Sequence, residues 1–204
     1  MIGAPAIDPR RTAVLAMDLQ AGVVSVYVKD QSLISRVAQV IAGARAADVA
    51  IVYVKVGLRP GVPEAGPRNK FLSAIKSSPQ HQRFFQGESG AIHEGIAPHA
   101  SDLIVTKSRI GAFAGTDLDL LLRVKDIDTL VLFGIATGGV VLSTTLQGID
   151  LDYRVIVVKD CCADDDVDAH ACVLDRLLAR CAIVASAADV SRAFAARDAN
   201  GRQR

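Results

Sequence analysis

Six short apolar runs punctuate the chain, and longer amphipathic stretches lie between them. The runs cover residues 13–17, 50–56, 102–106, 129–134, 154–159 and 182–185. They are nearly continuous in apolar character, as expected of strands covered on both faces. Between the second-run boundary and the first, Leu33, Ile34, Val37, Val40, Ile41 and Ala44 recur at helical spacing. They predict a helix over 32–47 with Ser32 as its N-cap. Further helices are predicted over 118–123, capped by Thr116 or Asp117, over 140–150 and over 187–196. Another over 167–180 carries Leu174, Leu177 and Leu178 on one stripe. Strands alternating with helices predict an α/β chain: a three-layer α/β/α arrangement around a six-stranded, mostly parallel sheet.

Two stretches fit neither period. Residues 57–66 (GLRPGVPEAG) are dense in Gly and Pro, and residues 77–99 are rich in Gly, Pro, Gln and His. Long loops in a compact chain are often functional. In open α/β sheets the carboxyl ends of the strands bind ligands, and these loops are expected there. No repeat, low-complexity tract or linker interrupts the pattern. One domain over 1–204 is expected, with a tail from about 198.

Composition narrows the function classes. Half of the 204 residues are hydrophobic and 22% are charged, which suits a globular core rather than disorder. Lys and Arg number 23 against 22 Asp and Glu. No global field is available to attract nucleic acid or an anionic membrane. Apolar runs end well short of the roughly 20 residues that a membrane span needs. The four cysteines, Cys161, Cys162, Cys172 and Cys181, have no C-x-x-C spacing. A reduced cytoplasmic protein with buried thiols is the simplest reading, and Cys172 and Cys181 read as core.

Candidate chemistry sits at the ends of the runs. Asp18 ends the first run in VLAMDLQ, where a carboxylate suits acid–base work and equally suits a turn or cap. Lys107 follows the third run; its ammonium could stabilise developing negative charge or pair with Asp18, or simply be an exposed lysine. Gly138 and Gly139 precede a predicted helix, where free amides suit an oxyanion or carboxylate. This glycine pair matches neither the dinucleotide nor the phosphate-loop pattern, so no nucleotide cofactor is expected. Arg59, Arg68 and Asn69 lie in or just beyond the first long loop. An arginine there could clamp a substrate carboxylate, or simply pack the loop. Gln20 and Phe113 lie close in sequence to Asp18 and Lys107 and either line the pocket or pack under it.

The stretch from Thr129 to Asp160, TLVLFGIATGGVVLSTTLQGIDLDYRVIVVKD, resembles the core motif of the isochorismatase-like hydrolases, the cysteine hydrolase superfamily. Many members read G-[IV]-A-T-x-x-C-V at this turn. Here the residues are Gly134-Ile135-Ala136-Thr137-Gly138-Gly139-Val140-Val141. The segments KSRIGAFAGTDLDLLLR and YRVIVVKDCCA extend the likeness, which runs from about Asp8 to about Asp189. The resemblance implies a catalytic Asp at Asp18, a catalytic Lys at Lys107 and a nucleophile position at Val140. It also implies a substrate pocket around the turn, including Ala136 and Thr137, and a non-proline cis peptide near Ile135-Ala136. His170 matches a family histidine and reads as packing or capping. Homodimers or higher homo-oligomers are common in the family.

Valine cannot attack a carbonyl, so the covalent thiol route is not expected at Val140. Isochorismatases proper work without the cysteine, by protonation of a vinyl ether and attack of water. The resemblance therefore implies a hydrolase acting on a small, anionic metabolite, with Asp18 as general acid/base and Lys107 as electrostatic partner. The alternative is a catalytically silent member that binds a small ligand or partner protein in the same crevice. Some relatives bind a metal through Asp and His after the second strand. The corresponding loop here holds no His, and neither metal nor other cofactor is expected.

Overall fold

The computed structural model describes residues 5–198. Six strands form one sheet: β1 (Thr12–Met17), β2 (Ala50–Val56), β3 (Leu103–Lys107), β4 (Thr129–Gly134), β5 (Arg154–Val158) and β6 (Ile183–Ala185). Their order is β3-β2-β1-β4-β5-β6, and every pairing is parallel. The expectation of a mostly parallel sheet is thus sharpened to a wholly parallel one. β1 and β4 are fully buried along their length, as their unbroken apolar runs require. The expected tail from 198 lies, beyond Asp198, outside the described residues.

Among the described residues, eight α-helices accompany the strands: α1 (Ala21–Tyr27), α2 (Leu33–Ala46), α3 (Lys70–Lys76), α4 (Pro79–Arg83), α5 (Leu118–Val124), α6 (Leu142–Asp150), α7 (Val167–Cys172) and α8 (Ala187–Asp198). α2 buries Leu33, Val37, Val40, Ile41 and Ala44, the predicted stripe apart from the half-buried Ile34. Ser32 stands at its N-cap position as expected, but the Ser32 side chain makes no capping bond. Asp30 takes over locally, accepting hydrogen bonds from the Ser32 backbone and hydroxyl. The helix expected over 140–150 starts earlier, as a π-turn over Thr137–Val141 that runs into α6. The helix expected over 167–180 divides into α7, a π-turn over Val173–Leu177 and a 3₁₀ turn over Leu178–Arg180. The stretch 77–99 is not irregular throughout, since it holds α4 and two 3₁₀ turns. Cys172 and Cys181, expected in the core, are exposed.

Strand order reverses direction between β1 and β4, so the switch-point crevice lies at their carboxyl ends. The two ends are laced together. Met17 pairs with Gly134, and the Ile135 N–H donates to the Met17 carbonyl at 3.2 Å. Only glycine fits at 134: its φ is +152°, and a Cβ there would lie 2.0 Å from the Met17 carbonyl oxygen.

Candidate active site

Asp18 leaves β1 with φ +54°, a left-handed conformation that turns the chain as the strand ends. Its amide still donates to the Val54 carbonyl of β2 at 2.8 Å. Lys107 is the last residue of β3, two strands away, and its side chain spans β2 to reach Asp18. The Lys107 Nζ to Asp18 Oδ2 distance is 2.7 Å, and the side chains are 2% and 9% exposed. Nζ also donates to the Arg109 carbonyl at 3.0 Å. Burial pushes the Asp18 carboxyl above its ordinary value, and the Lys107 charge and hydrogen bond pull it part of the way back. Asp18 Oδ1 is buried and has no hydrogen-bond partner among the described residues. A buried carboxylate oxygen without a donor is costly unless a ligand, proton or water meets it.

The turn after β4 lies beside this pair. The peptide Ile135-Ala136 is cis, where the sequence resemblance places it. Thr137 is fully buried; its N–H and hydroxyl both donate to the Ala163 carbonyl, at 2.9 and 3.1 Å. Its oxygen also lies 2.8 Å from His170 Nδ1. His170 thus clamps the turn from α7. Gly138 donates its N–H to Asp164 Oδ2 at 2.7 Å, and Gly139 donates to the Ala136 carbonyl at 3.1 Å. The Gly138 and Gly139 amides, expected at a substrate pocket, are both engaged within the chain in this structure. Val140 is 3% exposed and belongs to the hydrophobic core.

The remaining expected site residues divide. Gln20 is fully buried, and its Nε2 donates to the Val56 and Gly90 carbonyls at 3.1 and 2.9 Å. Its Oε1 accepts from the Val56 N–H at 2.8 Å. It is a brace that fastens the 90–93 segment beside Asp18, not a group free to bind substrate. Phe113 stacks on Tyr153 at 5.8 Å, on the α5–α6 side, and serves packing. Asn69 caps α3 through Oδ1, which accepts from the Leu72 N–H at 3.0 Å. Arg59 is held by Glu64 at 2.6 Å. Exposed Arg68 lines a cavity of about 360 Å³ with Pro63, Glu64, Gly66, Pro67, Asn69 and Arg109. Arg109 links this cavity to the buried pair, because its carbonyl receives the Lys107 ammonium.

Sequence reasoning missed Asp164, His170 as a clamp on Thr137, and Arg109. Asp164 sits in an acidic run that reads as solvated surface. His170 and Thr137 are 33 residues apart, beyond any local pattern. Cys161 and Cys162 are buried. Burial pushes the Cys162 thiol up to about 12, only partly offset by the Gly134 amide. Burial and the neighbouring Asp160 push Cys161 up as well.

The model of the isochorismatase domain matches residues 12–189. The chain belongs to the isochorismatase family. An isochorismatase family protein from Burkholderia thailandensis has a similar fold, with a TM-score of 0.84 and 30% identity, covering 95% of this chain and 100% of that one. The uncharacterised isochorismatase family protein YwoC of Bacillus subtilis is 33% identical over 175 residues, 82% of this chain and 86% of that one. The ureidoacrylate amidohydrolase RutB of Methylorubrum extorquens is 33% identical over 138 residues, 63% of this chain. That alignment spans only 56% of the amidohydrolase's own length. Among the described residues, no helix of this family member is long and apolar enough to cross a membrane.

Proposed function

We propose that the protein is a hydrolase of a small metabolite in which Asp18 acts as general acid/base and Lys107 as its electrostatic partner. The observation that carries this reading is the buried Asp18–Lys107 pair with Oδ1 unpartnered, at the switch point of the sheet. Lys107 holds Oδ2, which leaves Oδ1 to deliver a proton to the substrate or take one from water. A carboxyl raised by burial can hold a proton closer to neutrality than an ordinary Asp. As a substrate gains negative charge, the Lys107 ammonium offsets it without reorganisation, because two acceptors already fix it.

No thiol is used. Val140 stands at the position that the family resemblance assigns to the nucleophile, and its side chain has no reactive atom. Cys161 and Cys162 are poor substitutes, because buried thiols held protonated are not nucleophiles. The reaction assigned is attack by water on a centre made electrophilic by protonation. An anionic group of the substrate would be held in the cavity of Arg68 and Arg109. Homo-oligomers are expected by family resemblance.

A second reading, a silent member that binds a ligand in the crevice, draws on one observation. Both members of the pair are almost sealed from solvent, and the 90–93 segment is fastened along 19–21 through the Ala21, Gln20 and His93 contacts. A panel of small vinyl ethers, carboxamides and ureido acids, incubated with protein whose thiols are alkylated, separates the two. Hydrolysis of at least one compound, undiminished by alkylation, is expected. Binding without hydrolysis of any compound would leave the silent reading standing instead.

A further inference from the structure

The anion position at the start of the helix after β4 is filled from within the chain. The π-turn over Thr137–Val141 and α6 form one continuous helical segment, whose first amides would ordinarily attract negative charge. Here the Asp164 carboxylate sits over Gly138: the Gly138 N–H donates to Oδ2 at 2.7 Å, and a Cβ on Gly138 would lie 3.3 Å from that oxygen. The second oxygen, Oδ1, is held by the Asp165 N–H at 3.0 Å. The neighbouring amides are also spent, Thr137 on the Ala163 carbonyl and Gly139 on the Ala136 carbonyl. Asp165, Asp166 and Asp168 follow closely in sequence, and the charges of Asp165 and Asp164 help burial to raise the Tyr27 hydroxyl at the end of α1. An incoming anion therefore meets occupied donors and negative charge at this end.

The cavity beside Arg109 has the opposite character. The cavity of about 360 Å³ is lined by Arg68 and Arg109, and the Arg109 carbonyl accepts a hydrogen bond from Lys107. Glu64 lines it too, with a side chain only 6% exposed and an Oε2 that has no hydrogen-bond partner among the described residues. That oxygen is a buried acceptor, suited to an N–H of a ligand rather than to another anion.

We propose that Asp164 is a specificity-determining residue: it closes the β4 turn to anions, so that a substrate presents an uncharged group there and its anionic group to Arg68 and Arg109. The substrate class is then a molecule with separated ends, one anionic and one neutral. This deepens the assignment of the crevice as a substrate site and rests on it, yet its test needs no turnover.

The test is a titration of ¹⁵N-labelled protein with sodium acetate, read at the Gly138 and Gly139 amide signals. In the wild-type protein these signals should not respond saturably. In Asp164→Ala, Gly138 should show a saturable shift, because its amide is released and a negative charge is gone. Asp164→Asn keeps an acceptor oxygen without the charge and should respond at higher acetate concentration than Asp164→Ala. Saturable acetate binding at Gly138 in the wild-type protein would overturn the proposal. So would a silent Gly138 in the folded Ala variant, or in the folded Asn variant should the Ala variant fail to fold. Loss of catalysis by itself moves none of these signals, so failure of the hydrolase assignment is read separately, in the substrate panel.

Discussion

Two groups of titratable side chains sit at the carboxyl end of the sheet, and burial acts on them with different results. After β1 and β3, Asp18 and Lys107 are sealed together as an ion pair at 2.7 Å. After β5, Cys161 and Cys162 are buried beside the acidic Asp160, and the Arg36 charge only partly offsets burial at Cys161. In the first case burial raises the carboxyl, and an opposite charge in contact with it offsets part of that rise. In the second, burial and like charge hold the thiols protonated and unreactive. The difference teaches that the chemistry of a buried group follows from what faces it, not from its intrinsic reactivity. A cysteine is the better nucleophile in water, but in this molecule the carboxyl is the better-equipped group.

The sharpest way to break the comparison is to strip Asp18 of its partner. Lys107→Met should cost about 3–5 kcal/mol in urea denaturation, because a buried carboxylate is left uncompensated. The double variant Asp18→Leu/Lys107→Met should regain most of that loss. A small effect of the single variant would mean that the pair is not sealed as described. A second, smaller effect concerns pH. An unfolded Cys162 ionises near 9 and the folded one near 12. Below pH 9 both states hold the proton, and the thiol's contribution to stability is fully present. As pH rises towards 12, only the unfolded state loses its proton, so that contribution is lost. Cys162→Ala should flatten the alkaline decline by up to about 1.4 kcal/mol per pH unit, measured by denaturant melts. The mildest test counts thiols: the exposed Cys172 and Cys181 should react quickly with a disulfide reagent, and Cys161 and Cys162 only after denaturation.

Much of this was legible in the chain, for a physical reason. Strands buried on both faces leave unbroken apolar runs, so β2 and β4 coincide with their predicted limits and the other strands differ by one or two residues. The positions of Asp18 and Lys107 could be read from the ends of those runs. Their contact could not, because it depends on β3 lying outside β2 in the sheet. α1 was hidden because its sequence AGVVSVY is rich in β-branched residues, and tertiary packing overrides that propensity. Gln20 resembled a pocket residue by its closeness to Asp18, yet one of its partners, Gly90, is 70 residues away. Asp164 was hidden for the opposite reason: a run of three aspartates suggests solvent exposure, while one of them accepts the Gly138 N–H at the turn after β4.

The central claim, that catalysis runs through Asp18 without a thiol, is tested most directly by the kcat/KM of Asp18→Asn on a substrate that the wild-type protein hydrolyses. Both proteins are to be alkylated beforehand and shown to be folded. The account predicts a fall of about 10²–10⁴-fold, the usual contribution of a positioned general acid. A variant that retains the wild-type rate would contradict it.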